Sequence, residues 1–198
     1  MNKDVSLFEF PANSIHLNAL KSSYNARPNL YIDLTKEKPT VHTVAHLMMD
    51  YIESLPQSLI YTHLREAFRT SSSTKDILVK LRQYRSIIQK ELSQAHKATL
   101  VYILQFLKKL SRKSSKNGLK LEKLAAVWGP KIFGVKETDS DEAKALTEVT
   151  KLLIDNVSYV SVEQYVRMSR DGTITKEFDV EDEDIVKWDK TKKTETKL

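Results

Sequence analysis

Residues 44–59 read VAHLMMDYIESLPQSL, and this stretch decides the fold class. From Val41 onward its apolar residues recur three and four positions apart, which is the spacing of one face of an α-helix. Thr40 is suited to start this helix, and Pro56 is suited to end it. The stretch therefore predicts an amphipathic helix followed by a tight turn.

The same spacing recurs along most of the chain and predicts an all-α fold. Further apolar stripes run from Ile60, Ile77, Leu100, Leu121 and Leu146. The segments 73–76 and 139–142 have the composition of helix N-termini, and the first of them predicts a helix that begins after Ser73 with Asp76 in its first turn. Gly129-Pro130 is expected to stop the helix that begins near residue 121.

The chain is predicted to form one bundle-like domain followed by a polar tail. We place the helical domain at residues 1–165 and the tail at residues 166–198. Asp171-Gly172 lies between short apolar segments, so the tail begins either with a small hairpin or with a linker. Beyond residue 181 the chain is highly charged and is expected to be disordered.

Composition excludes several classes of protein. The chain has no cysteine, which excludes disulfides, cysteine-ligated metals and a thiol nucleophile. None of its glycines forms a GxGxxG or GxxxxGK pattern, so the common phosphate-binding loops are absent. No apolar run approaches the roughly 20 residues that a membrane-spanning helix needs. We expect a cytoplasmic protein without a cofactor of its own.

The sequence contains no pattern that marks a metal or a catalytic site. His42 and His46 stand four residues apart on one predicted helix and could share a metal, but no third ligand follows at a suitable spacing. No serine or carboxylate pattern indicates a nucleophile or an acid–base pair. We therefore predict no metal site, and the residues alone do not indicate an enzyme.

The charge is concentrated in the first part of the chain. Residues 1–169 carry 25 basic and 17 acidic side chains, whereas residues 170–198 carry 7 basic and 9 acidic ones. A basic body attracts anionic partners, and its densest segment is SRKSSKNG at residues 111–118, which we expect to be a loop. The aromatic residues follow the apolar stripes, so they are expected in the core and not as stacking platforms. No nucleic-acid partner is expected, although a basic adaptor for anionic lipid or nucleic acid stays an alternative.

Four segments, taken in order, resemble the RhoGAP domain, a helical module that binds Rho-family GTPases and accelerates their hydrolysis of GTP. Residues 44–59 resemble the family's helix that ends in LRELPEPL. Residues 92–107 and 117–133, the latter containing KLAAVWGPKIF, resemble the two helices that follow, and residues 153–160 resemble the family's closing segment. The resemblance implies an all-α RhoGAP-like fold and a Rho/Rac-family small GTPase as the partner.

The resemblance also implies that the polar residues of the GTPase-facing site are replaced. The segment LFEFPANSIHLNAL, residues 7–20, places Glu9 where the family carries its arginine finger. The family's lysine and arginine before the LP pair align with Met49 and Glu53, and its asparagine aligns with Lys123. Asn117, Gly129 and Pro130 match the family pattern and complete the set of residues predicted to bind the partner.

The helical spacing of residues 41–55 bears on two of these positions. The apolar stripe is predicted to centre near Val44 and Tyr51. Met49 and Glu53 then fall off the stripe, on the polar face shared with His42. A flexible thioether on such a face suits an adaptable protein contact.

A glutamate at the finger position predicts weak or absent activation of the GTPase. An arginine finger offsets negative charge that develops on the transferred phosphoryl group, and the anionic Glu9 has the wrong sign for this role. Two functions follow: a binding module for Rho/Rac-family GTPases, or a non-standard activator that uses Lys123 or the GTPase's own glutamine. Membrane contact is expected to be only indirect, through the GTPase.

Overall fold

The computed structural model describes residues 7–8, 12–26, 38–136, 140–161, 167–168 and 174–175. Within the described residues up to Ser161 the fold is all-α, as predicted. The helices are α1 (Ser14–Ala26), α2 (Val41–Glu53), a 3₁₀ turn (Thr62–Leu64), α3 (Arg65–Ser72), α4 (Ile77–Glu91), α5 (Gln94–Ser111), α6 (Ser114–Asn117), α7 (Leu121–Phe133), α8 (Asp141–Asp155) and α9 (Val157–Val160).

The core lies between α5, α7 and α8. Helix α7 packs along α8, α3 packs on both α4 and α8, and α1 packs on α2. The fully buried side chains include Leu100, Leu104, Leu124, Trp128 and Leu153. These residues come from three helices that are distant in sequence, so the core holds the helical domain together.

Three aromatic rings fill the space between α3, α4 and the end of α7. The ring of Phe68 lies 5.2 Å from that of Tyr84 and 5.3 Å from that of Phe133, measured between centroids. All three side chains are fully buried. Such contacts add to the stability from burial and fix the angle at which α3 crosses its neighbours.

The helix starts follow the local chemistry of the sequence. The side chains of Thr40, Asp76 and Ser140 accept hydrogen bonds from backbone N–H groups in the first turns of α2, α4 and α8. Each bond satisfies a donor that has no partner within the helix. The start of α2 at Thr40 and a start of α8 within residues 139–142 are therefore confirmed, whereas α4, predicted to begin after Ser73, begins at Ile77.

The predicted stop at Gly129-Pro130 is wrong, because α7 continues to Phe133. A proline crowds the Cβ atom of the residue before it, and Gly129 has none. The carbonyl left without a helical donor is that of Ala126, a residue exposed to solvent. The helix ends instead at Gly134, which adopts a left-handed conformation (φ 65°).

The predicted orientation of α2 is also wrong. The helix buries Thr43, Ala45, Met49 and Ile52, whereas the side chain of Tyr51 is 56 % exposed. Most residues of this helix are apolar, so the spacing does not define a single stripe. Packing against α1 and α7 selects the face that is buried.

Two further segments complete the description. The basic segment 111–118, expected as a loop, contains the short helix α6. Strands β1 (Arg167–Met168) and β2 (Ile174–Thr175) pair in antiparallel fashion. Most of the tail lies outside the described residues, so the division at residue 165 stays a prediction.

No helix in the described part of the chain combines the length and apolarity needed to cross a bilayer.

The hydroxyl of Tyr84 gives a testable pH dependence. It is buried and has no hydrogen-bond partner among the described residues, and burial raises the pKa of Tyr84 to about 12. The folded state favours the neutral form of this hydroxyl. Its contribution to the free energy of unfolding is therefore complete below pH 10 and is lost as the pH rises toward 12. We expect a loss of about 2 kcal/mol in the free energy of unfolding over that range.

Urea denaturation of Tyr84→Phe measures this contribution. The variant should be at least as stable as the wild type at neutral pH and should lose less stability at alkaline pH. Tyr51→Phe removes an exposed hydroxyl and serves as the control. Its loss of stability at alkaline pH should equal that of the wild type. Equal alkaline losses in the wild type and Tyr84→Phe would contradict the assignment.

Candidate functional site: the groove between α2 and α7

An open groove lies where the C-terminal ends of α2 and α7 meet. Its volume is about 1110 Å³, and its lining comes from Ile52 and Glu53 of α2, from the turn at residues 55–63, from Val127, Pro130 and Lys131 of α7, and from residues 134–136. We call it the α2–α7 groove. It brings together two segments that the family resemblance marks as partner-facing.

Backbone hydrogen bonds hold the turn against α7. The N–H of Ile60 donates to the carbonyl oxygen of Ile132 (3.0 Å), one of the carbonyls that the end of α7 leaves without a helical partner. The hydroxyl of Ser58 donates to the carbonyl oxygen of Ile60 (2.7 Å). The side chains of Leu59 and Ile60 are buried, so they anchor the turn that lines the groove to the core.

Gly134 allows the turn and α7 to approach closely. A Cβ atom at this position would lie 2.8 Å from Cβ of Ser58, which is closer than side chains tolerate. The left-handed backbone at Gly134 is also one that glycine adopts without strain. Both constraints require glycine where α7 ends.

Arg65 secures the same end of α7 from the other side. Its Nε donates to the carbonyl oxygen of Phe133 (2.8 Å), and its Nη2 donates to that of Gly134. Nη1 lies 3.9 Å from Oε1 of Glu142 on α8. A guanidinium is suited to this position because it offers several donors in a fixed plane and a charge that favours helix carbonyls.

The groove carries one ion pair at its edge. Nζ of Lys131 donates to Oε1 of Glu53, which joins α7 to the last residue of α2. The glutamate side chain is 50 % exposed and the lysine side chain 20 % exposed. The pair leaves little net charge at the point where the family resemblance implies an arginine.

The rings of Tyr61 and His63 form one wall of the groove, and the ring of His96 packs against that of Tyr61. Tyr61 stacks on His63 with ring centroids 5.7 Å apart, and its ring meets that of His96 edge-on at 4.8 Å. The hydroxyl of Tyr61 accepts from the N–H of Ser93 (3.3 Å), and Nδ1 of His96 lies 2.9 Å from the hydroxyl of Ser93. This wall combines flat apolar surface with polar edges, a combination common at protein contacts.

Three of the predicted partner-binding residues belong to this face. Glu53 and Pro130 line the groove. Lys123 lies on α7 four and eight residues before Val127 and Lys131, which both line it, so the three share one side of the helix. Lys123 is half-buried. The structure therefore brings together three of the seven residues that the sequence predicts to bind the partner.

Three other residues of the predicted partner-binding set make contacts within the fold. Met49 is buried in the core, which corrects its placement on a polar face. Gly129 is buried where α7 meets α8, and a Cβ there would lie 3.1 Å from Oγ1 of Thr150. The side chain of Asn117 donates to the carbonyl oxygen of Leu110 (3.0 Å) and accepts from the N–H of Leu119 (2.9 Å).

Glu9, predicted to occupy the finger position, lies outside the described residues. Its neighbour Phe8 is buried and packs edge-on against Trp128 of α7, with ring centroids 5.5 Å apart. This contact ties the chain just before Glu9 to the helix that carries Lys123. Whether Glu9 faces the partner stays a prediction.

Sequence reasoning missed Lys131 and Arg65. No local pattern links either residue to its partner, because Lys131 pairs with a residue 78 positions away and Arg65 reaches carbonyls 68 and 69 positions away. The position of Lys131 eight residues after Lys123 was a usable indication that both lie on one face of α7. Among the described residues no group of three or more metal-ligating side chains is present.

Comparison with known families decides the identity of the fold. The model of the RhoGAP domain matches residues 3–137. The chain belongs to the RhoGAP domain family. The match includes α1 to α7, and hence the whole of the α2–α7 groove.

Curated relatives of this RhoGAP chain are named as GTPase-activating proteins. It is 26 % identical to GTPase-activating protein pac-1 of Caenorhabditis elegans over 74 % of this chain and 9 % of that protein. It is 32 % identical to Rho GTPase-activating protein 31 of Homo sapiens over 54 % of this chain and 8 % of that protein. The matched segment therefore spans a small part of each relative's length.

Solved structures share the fold. The BH domain of GRAF, the GTPase regulator associated with focal adhesion kinase, superposes with a TM-score of 0.70 at 16 % identity, covering 80 % of this chain and 85 % of that one. Human Rho GTPase activating protein 15 superposes with a TM-score of 0.68 at 19 % identity, covering 76 % and 72 %. At these identities the comparison supports the fold alone.

Arg65 offers a test of how the groove is held. Arg65→Lys keeps the positive charge near Glu142 but loses the planar fork that reaches two carbonyls, so we expect the free energy of unfolding to fall by about 1–2 kcal/mol. Urea denaturation measures the change. Arg69→Lys, which alters an exposed pair with Glu66 (3.0 Å), is the matched control. Equal effects of the two variants would show that the carbonyl contacts contribute nothing.

Proposed function

We propose that this RhoGAP domain binds a Rho/Rac-family small GTPase through the α2–α7 groove and the adjoining side of α7. The observation that carries the proposal is that Glu53 and Lys123, which align with partner-facing positions of the family, lie on the two helices whose ends form the groove. The names of the curated relatives support a GTPase as the partner. A cytoplasmic location is part of this proposal.

We also propose that the chain gives weak or no activation that depends on an arginine finger. Glu9 occupies the finger position in the alignment, and an anion there opposes the negative charge that develops during phosphoryl transfer. In addition, Glu53 stands where the family carries an arginine, and Lys131 neutralises its carboxylate. Both changes favour binding without strong catalysis.

A non-standard activator is the second candidate function. Lys123 is the one replacement among the aligned polar positions that adds a positive charge, and it shares a side of α7 with groove residues. It would stabilise the transition state less well than an arginine, because an ammonium lacks the planar, bidentate donors of a guanidinium. The GTPase's own glutamine is the other source of residual activity.

Titration against Rho-family GTPases loaded with GDP or a GTP analogue tests the binding proposal. We expect a complex whose affinity depends on the nucleotide, because the switch segments of a GTPase change order with it. Val127→Asp introduces a carboxylate into the groove and should weaken binding by more than about tenfold, since an unpaired charge is costly to bury. Val79→Asp makes the same change on half-buried α4 surface and should bind as the wild type does.

Two results would retire the binding proposal. The first is the absence of a complex with every GTPase tested at high micromolar concentration. The second is equal binding of both nucleotide forms together with a steep loss of binding in salt, which favours a basic adaptor for anionic ligands. Circular dichroism of both valine variants establishes that each is folded.

Single-turnover hydrolysis of GTP tests the role of Glu9. The wild type should accelerate hydrolysis far less than the roughly 10³–10⁵-fold that an arginine finger supplies. Glu9→Arg should raise the rate, whereas Glu9→Gln, which removes the anion without adding a cation, should change it little. A wild-type acceleration on the scale of an arginine finger would contradict the proposal, and its loss in Lys123→Ala would identify the substitute residue.

A further inference from the structure

A second charged surface consists of residues that do not line the α2–α7 groove. It consists of Lys109, Arg112, Lys113, Lys116 and Lys120, all of them exposed, and we call it the α5–α6 basic surface. The segment 92–121 that contains it has no aspartate or glutamate. The proposed GTPase site does not use these residues.

The fold of α5 turns this surface outward. Leu100, Ile103, Leu104 and Leu107 are buried in the core, so the opposite side of α5 faces solvent. That opposite side carries Tyr102, whose side chain is 70 % exposed. The tyrosine lies two helical turns before Lys109 on the same side of α5, and Arg112 and Lys113 follow directly after the end of that helix.

The segment after α5 is held in a defined shape. Helix α6 begins three residues after Ser111, and Gly118 closes it in a left-handed conformation (φ 68°). The side chain of Asn117 bridges the carbonyl oxygen of Leu110 and the N–H of Leu119. The cations of this segment are thus presented by an ordered turn, which reduces the entropy lost when they bind a partner.

The neighbouring polar groups neutralise only part of this surface. Glu122, the next acid along the chain, pairs with Lys151 on α8 (3.3 Å). Lys108, which points the other way, donates to the backbone carbonyl oxygen of Asp155. The charge of Lys120 is partly offset by Glu122, whereas the other four cations repel one another, and an anionic partner would relieve that repulsion.

The composition and shape of the surface favour a lipid membrane over a nucleic acid. Four of the five cations are lysines, which act as point charges and lack the fork with which arginine reads bases and phosphates. They lie on the exposed end of α5 and on the turn and short helix that follow it, where a flat anionic surface can reach them. Tyr102 adds an amphipathic ring of the kind enriched where proteins meet the lipid headgroups.

We infer that the α5–α6 basic surface binds anionic lipid headgroups of a membrane directly. This contact does not require the GTPase, so it goes beyond the proposed function and differs from the indirect membrane contact expected from sequence. Attraction to an anionic leaflet decays within about 8 Å at physiological ionic strength. Binding therefore needs these side chains to reach the headgroups.

Sedimentation of the full chain with lipid vesicles, in the absence of any GTPase, tests the inference. The chain should bind vesicles of phosphatidylcholine containing phosphatidylserine, should not bind vesicles of phosphatidylcholine alone, and should be released by high salt. Lys113→Gln combined with Lys116→Gln should weaken partitioning about 30-fold, at about fivefold for each cation near the surface.

A matched pair of substitutions separates this surface from the overall positive charge. Lys75→Gln with Lys90→Gln removes the same charge from exposed positions at the two ends of α4, and it should bind as the wild type does. Tyr102→Ser should weaken binding at every salt concentration, because its contribution is not electrostatic.

Three outcomes would overturn the inference. One is no binding to phosphatidylserine vesicles at low salt, as expected if the chain's own acidic segment 181–184 covers the surface. Another is an equal loss of binding in the two lysine pairs. The third is binding to duplex DNA that is stronger than binding to the vesicles. Because no GTPase is present, these outcomes leave the proposed GTPase contact unaffected.

Discussion

The close contact between α7 and α8 is the constraint on which the rest of the helical domain depends. At Gly129 the helices approach so closely that an added Cβ atom would lie 3.2 Å from Cα of Thr147 on α8. A side chain at this position would push the helices apart, and tightly packed cores tolerate such changes poorly. The contact sets the position of α7, and α7 carries the core residue Trp128 on one side and the groove residues Val127 and Lys131 on the other.

The end of α7 links core packing to the candidate site. A helix leaves its last carbonyl groups without internal donors, and here Ile60 and Arg65 supply donors from elsewhere in the chain. These bonds place the turn after α2 beside α7 and so create the groove. The same physical requirement that stabilises the helix end therefore builds the surface that is proposed to meet a GTPase.

Charge in this protein is divided between two surfaces with different characters. The groove holds a neutralised pair, Glu53 with Lys131, beside an aromatic wall. The α5–α6 basic surface holds cations with no acidic residue in its own segment. A protein contact around this pair and a separate cationic surface would let the chain bind a GTPase and a membrane independently.

Local sequence was sufficient for the helical class, for the helix starts near Thr40 and Ser140, and for the family, because capping and apolar spacing act within a few residues. It was insufficient for the buried face of α2, where apolar residues lie on several sides and only packing against α1 and α7 places Met49 inside. It was also insufficient for the partners of Lys131 and Arg65, since hydrogen bonds between distant segments form only once the helices are assembled.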